Sequence, residues 1–108
     1  MVETKNIPRA LRKRGLEEKL QKLCKENDVV FMAIFGSFVR GKQRKGSDVD
    51  IAIEYEEGSR KSLFDLVDLE EKLKKLLHRR VDLGILGSIN RYIIDHVRKE
   101  MKVIYEKR

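Results

Sequence analysis

Apolar positions along the chain follow two periods, and the change of period marks out the elements. Val29–Phe35 is a continuous apolar run of strand length. Over residues 48–54 polar and apolar side chains alternate: Asp48, Val49, Asp50, Ile51, Ala52, Ile53, Glu54. Residues 81–86 alternate again, with Val81, Leu83 and Ile85 facing one way and Asp82, Gly84 and Leu86 the other. A period of two is that of a half-buried strand.

Three further stretches repeat apolar residues every three or four positions and so predict helices. Residues 11–26 carry Leu16, Leu20, Leu23 and Cys24. Residues 63–78 carry Leu66, Val67, Leu69, Leu73, Leu76 and Leu77, a stripe broad enough to cover one face of a sheet, with His78 in the last turn. Residues 89–99 carry Ile89, Tyr92, Ile93, His96 and Val97, and His96 reads as a partly buried packing residue. Asn27-Asp28 and the stretch 56–59 read as turns, Ser62 with Asp65 as a capping box, and Gly87-Ser88 as the cap of the last helix. Residues 1–8 are expected to be extended or mobile, with Pro8 able to open a helix, and residues 101–105 to form a short strand or an extended tail. The set predicts one α/β domain, in the α+β sense, over residues 1–108. Its mixed sheet has three or four strands, with helices packed mainly on one face and an open face carrying Asp48, Asp50 and Asp82.

Length and charge narrow the classes. At 108 residues the chain can build one core but not separate catalytic and substrate domains. No apolar run approaches the ~18 residues of a membrane span, and the N-terminus lacks the apolar centre of a signal peptide, so a cytoplasmic protein is expected. The single cysteine, Cys24, sits at a helical apolar position and reads as core. Residues 1–47 hold 12 Lys/Arg against 5 Asp/Glu, whereas residues 48–108 hold 13 of each. The whole positive excess therefore lies in the first half, where it suits a triphosphate, an acidic partner or nucleic acid.

The candidate chemistry lies between residues 36 and 50. Asp48 and Asp50 share a strand face about 6.6 Å apart. Held so close, they raise one another's pKa unless a cation lies between them, and an all-oxygen site of this kind suits Mg²⁺ or Mn²⁺. The run Val29–Phe35 stops at Gly36-Ser37, where a short helix can open, so free backbone N–H groups and a hydroxyl face an anion. Arg40, Lys42, Arg44 and Lys45 follow, between Gly41 and Gly46. A P-loop is excluded because Ser47-Asp48 stand in place of Lys-Ser/Thr and a strand follows where a helix is needed. An EF-hand is excluded because Ile51, Ala52 and Ile53 follow the aspartates. An exposed edge strand with two solvated aspartates would not call for Gly-Ser at the end of the preceding strand.

Gly36-Ser37, ten intervening residues and Asp48-x-Asp50 resemble the core motif of the DNA polymerase beta-like nucleotidyltransferase superfamily. With Arg40-Gly41 after Gly-Ser and Ser47 before the first Asp, the stretch is most similar to the minimal nucleotidyltransferases (MNT proteins) of prokaryotes. The resemblance implies a third carboxylate on a neighbouring strand, and Asp82 is the matching position. The competing reading of Asp82 is a salt bridge to Arg79 or Arg80 at a strand start. The resemblance further implies two Mg²⁺ ions held by Asp48, Asp50 and Asp82, with Mn²⁺ as an alternative, and an NTP, ATP above all, held by Gly36, Ser37, Arg40 and Ser47. It implies an antitoxin that moves AMP onto a tyrosine of a separately encoded, all-helical HEPN toxin, in a homo- or hetero-oligomer whose composition stays open. Two other classes compete: a binding subunit that silences its partner by occlusion, and a basic nucleic-acid-binding domain, against which stands the lack of an aromatic stacking surface.

Overall fold

Seven consecutive apolar residues need cover on both sides, and Val29–Phe35 finds it as β2, the central strand of a five-stranded sheet. The structure, a computed structural model, describes residues 2–41, 44, 46–88 and 91–107. In chain order come β1 (Val2–Thr4), α1 (Leu16–Glu26), β2, α2 (Ser37–Arg40), β3 (Val49–Tyr55), α3 (Leu63–Leu77), β4 (Val81–Ile85), α4 (Arg91–Glu100) and β5 (Lys102–Lys107). Short 3-10 turns occupy Arg9–Leu11 and Leu86–Ser88. The strands lie in the order β1-β5-β2-β3-β4, every pair antiparallel except β3 with β4. That parallel pair requires a long crossover, which the 15-residue α3 provides.

One cluster holds the layers together. Leu16, Leu20 and Cys24 of α1 and Leu69, Leu73 and Leu77 of α3 pack with Ile34, Val49, Ile51, Ile53, Val81 and Leu83 of the sheet. The inward set of β3 is thus the alternating one read from the sequence, which leaves Asp50 on the opposite face. Burial pushes the Cys24 thiol up to about 12, as expected of a core cysteine with no part in chemistry. The capping box at α3 is formed in both directions: Ser62 N–H donates to Asp65 Oδ2 (2.8 Å) and Asp65 N–H to Ser62 Oγ (3.4 Å). No helix among the described residues is long and apolar enough to cross a membrane.

The structure departs from the sequence reading at several points. Among the described residues there are five strands, not three or four, because Val2–Thr4 pairs with β5 and the final strand extends to Lys107. Residues 1–8, expected to be extended or mobile, are thereby tied down in part: Lys5 N–H donates to Ile104 O (3.1 Å), and Ile7 is buried. The first helix begins at Leu16, not at residue 11, since Gly15 at φ +78 interrupts the chain before it. In α3 the buried stripe is narrower than expected, and Val67 lies 48% exposed beside Leu63 and Phe64. Leu86, read as part of a strand, is buried in the turn after β4. His96 is exposed rather than packed, and its Nε2 lies 3.2 Å from Glu100 Oε1. Lys42, Lys45, Ile89 and the side chains of Tyr92 and Ile93 lie outside the described residues.

Because Leu73 is wholly buried and Phe64 is 86% exposed, truncating them should have unequal effects. Leu73→Ala is expected to lower the unfolding free energy by about 2–5 kcal/mol, and Phe64→Ser to change it by no more than about 0.5 kcal/mol. Urea denaturation of the two variants measures the difference.

Candidate active site

Strand register brings the candidate residues together. Antiparallel pairing of β2 with β3 sets Phe35 opposite Asp50, and parallel pairing of β3 with β4 sets Asp50 opposite Asp82. Asp50 and Asp82 are therefore neighbours across one ladder, on strands about 4.8 Å apart. Asp48 lies two residues before Asp50, just ahead of β3. Asp50 is half-buried, while Asp48 and Asp82 are exposed. The carboxyl of Asp50 is held above its ordinary value first by burial, then by the charges of Asp82 and Asp48, with Arg40 pulling the other way. Three groups named from the sequence thus act electrostatically on a fourth, Asp50.

Gly36 completes the centre from β2. Its φ of +78 and ψ of −147 suit a residue without a side chain. A Cβ at this position would collide with Asp50 Oδ2 and lie 3.4 Å from Asp50 Cγ. The sequence explained this glycine by the close approach of a phosphate; the structure adds that the Asp50 carboxylate already lies against its backbone. Beyond it, the N–H groups of Val39 and Arg40 bond to Gly36 O at 3.0 and 3.1 Å. Those of Ser37 and Phe38 precede these first helical bonds.

The remaining residues fall into place less directly. Ser47 Oγ accepts from Arg44 N–H (2.7 Å), while Ser47 N–H donates to Arg44 O (2.9 Å), so this serine closes the turn that returns the chain to β3. The Arg40 guanidinium reaches Glu100 of α4 at 3.3 Å. Asp48 Oδ1 receives Arg80 Nε at 3.0 Å. The competing reading of Asp82 was a salt bridge to Arg79 or Arg80; in the structure Arg80 pairs with Asp48, and no ion pair to Asp82 occurs among the described residues. Parallel register explains the exchange: with Val49 opposite Val81, residue 80 stands opposite residue 48. Arg79 instead lies over the Phe38 ring, 5.3 Å from its centroid. Glu100 was missed altogether, since nothing in the sequence relates the end of α4 to α2. A cleft of about 390 Å³, lined in part by Ile7, Arg12 and Gly15, lies at the start of α1 and includes none of these residues.

The chain thus sets a Gly-Ser turn against a pair of aspartates on adjacent strands. Residues 18–108 match the family described as polymerase beta, nucleotidyltransferase, and the chain belongs to that family. The protein adenylyltransferase MntA of Thermococcus cleftensis is 41% identical over 70 residues, 65% of this chain and 69% of that protein. A solved structure of a toxin–antitoxin with AMP-PNP superposes with a TM-score of 0.69 at 28% identity, covering 85% of this chain and 74% of that one. A solved structure described as a minimal nucleotidyltransferase gives 0.68 at 31% identity, over 82% of this chain and 89% of that one.

Enzymes of this family generally use a divalent metal. Among the described residues, no three Asp, Glu, His or Cys side chains are grouped as they stand to hold an ion. The donors nevertheless fit one. Asp50 and Asp82 offer hard oxygen donors side by side, and a cation between them would relieve both the burial of the Asp50 charge and its repulsion by Asp82. Asp48, paired with Arg80, would have to leave that partner to join them.

Two outcomes follow. Gly36→Ala should lower stability by about 1–3 kcal/mol, through positive φ and the collision with Asp50. In Gly36→Ala/Asp50→Ala part of that loss should return, as measured by urea denaturation. The second concerns pH without metal. A carboxyl whose pKa is raised on folding contributes stability that is fully present below its unfolded value and is lost as pH rises through the folded value. In EDTA, wild type should therefore lose thermal stability relative to Asp50→Asn as pH rises from about 3.8, the unshifted value, towards neutrality. Parallel pH profiles would mean that Asp50 titrates normally.

Proposed function

We propose that this chain transfers AMP from ATP to a tyrosine hydroxyl of a separately encoded, HEPN-type helical partner and so acts as the antitoxin of a toxin–antitoxin pair. The observation that carries the reading is the in-register pairing of Asp50 with Asp82, closed on one side by the Gly36 backbone. Support for the partner comes from the relatives. One with 41% identity is named a protein adenylyltransferase, and a solved neighbour at 28% identity is a toxin–antitoxin with AMP-PNP.

In this reading Asp48, Asp50 and Asp82 hold Mg²⁺, two ions or Mn²⁺ in its place. When bound, the metal lowers the pKa of the attacking hydroxyl and neutralises charge on the triphosphate and the departing pyrophosphate. The backbone N–H groups of Ser37 and Phe38, with the Ser37 hydroxyl, bind the β- and γ-phosphates. Arg40 adds a charge-assisted contact after exchanging Glu100 for phosphate. Ser47 holds the turn that presents Asp48, with its hydroxyl proton free to reach a phosphate oxygen. Half-burial of Asp50 keeps water from the inner edge of the site. The acceptor hydroxyl comes from another molecule, steered by the basic first half of the chain.

Mixing the chain with its HEPN-type partner, ATP and Mg²⁺ should add AMP units to a partner tyrosine, as read by intact and peptide mass spectrometry. Label should pass from the α-phosphate and not from the γ-phosphate. Asp48→Asn and Asp50→Asn should abolish transfer while leaving the fold intact. Ser37→Ala should weaken ATP binding by about 1 kcal/mol, and Arg40→Ala by more, about 1.5–3 kcal/mol. If Asp48→Asn protein silences an unmodified partner, occlusion replaces transfer as the mechanism.

A further inference from the structure

Arg80 is the group the proposed chemistry leaves unused, and it is placed where that chemistry begins. Its Nε lies 3.0 Å from Asp48 Oδ1, its terminal NH2 donates to Gly46 O at 2.8 Å, and its backbone O accepts from Val49 N–H at 2.8 Å. One residue thus holds the last turn before β3, the first residue of β3 and the carboxylate between them. The Arg80 and Asp48 side chains are 75% and 52% exposed, so the pair is open to exchange with ions from solvent. Parallel register sets the Arg80 backbone just before β4, opposite residue 48, so a cation drawn to Asp48 from the side of Asp50 and Asp82 meets Arg80 as a competitor for that carboxylate.

We propose that Arg80 is the internal counter-cation of the acidic site. It neutralises Asp48 while the site holds no metal, competes with the divalent cation for that carboxylate, and so sets how readily the site fills. This rests on the reading that Asp48, Asp50 and Asp82 are the metal ligands. Arg80 is a positioning residue here, acting on the cation through Asp48. Two opposite effects follow from one contact. Without metal, the guanidinium offsets the repulsion among three carboxylates and steadies the turn. With metal, the same pair must first be broken, so affinity falls by the worth of the pair. For an exposed ion pair with good geometry, that worth corresponds to about twofold to fivefold in an equilibrium constant.

The test is a Mn²⁺ titration of the whole chain, without nucleotide or partner, followed by thermal shift and by calorimetry, with melting in EDTA as the second readout. Arg80→Gln should melt lower than wild type in EDTA and bind Mn²⁺ about twofold to fivefold more tightly. Arg80→Lys should fall between the two. On the Asp48→Asn background, Arg80→Gln should leave Mn²⁺ affinity unchanged. Arg79→Gln removes the same charge one residue away and should not reproduce the gain. Unchanged or weaker Mn²⁺ binding in Arg80→Gln overturns the proposal, as does an equal gain in Arg79→Gln. No Mn²⁺ response in wild type overturns both the metal site and the role of Arg80. A wild-type response with no change in Arg80→Gln overturns only the latter.

Discussion

The contact between the Gly36 backbone and the Asp50 carboxylate is the constraint on which the site depends. It joins the end of β2 to the start of β3, and it exists because the two strands run antiparallel with Phe35 opposite Asp50. A side chain at residue 36 would have to displace the carboxylate, and the positive φ that aims the turn into α2 would be strained. The Gly-Ser element and the Asp-x-Asp element are therefore two halves of one packed object. Their separation in sequence is the length of turn needed to bring β3 back into that register.

Around this contact the protein keeps like charges together and compensates them from within. Asp50 and Asp82 face each other across β3 and β4, with Asp48 two residues away, and burial followed by their charges raises the pKa of the half-buried Asp50. Arg80 answers Asp48, and Glu100, itself shared with His96, answers Arg40. Each of these ion pairs is exposed enough to be worth little in stability, on the order of 1 kcal/mol or less. Weak compensation is what a binding site needs, because strong internal pairs would exclude the ligands whose charges they imitate.

The parts of this arrangement legible in the sequence were those with a local cause. Alternation over Val49, Ile51 and Ile53 placed the aspartates on the outer face, the Ser62–Asp65 box marked the start of α3, and the end of the apolar run located Gly36. What the sequence withheld depends on pairing between distant segments. β1 is three residues long and has no period to detect; only β5 beside it makes it a strand. The pairing of Arg80 with Asp48 was not foreseen, because adjacent arginines offer equivalent cations in the sequence and register alone decides which carboxylate one of them meets. Val67 fits the spacing of the α3 stripe, but it lies in the first turns of that helix, where Leu63 and Phe64 are also exposed, so spacing overstated its burial. His96 looked like packing because an imidazole on an apolar stripe has no sequence signal for exposure.

The two faces of the sheet divide the physical work. On one, wholly buried side chains of α1 and α3 cover Val49, Ile51 and Ile53 and leave no room for change of volume. On the other, the same strands carry Asp50 and Asp82, groups that repel one another. Because both sets alternate along one backbone, the core fixes the carboxylates: β3 cannot slip by one residue without exposing three buried aliphatic side chains. The repulsion on the open face is thus held by burial on the closed face, and it remains available to be relieved by a cation. That coupling lets a small core support a charged site.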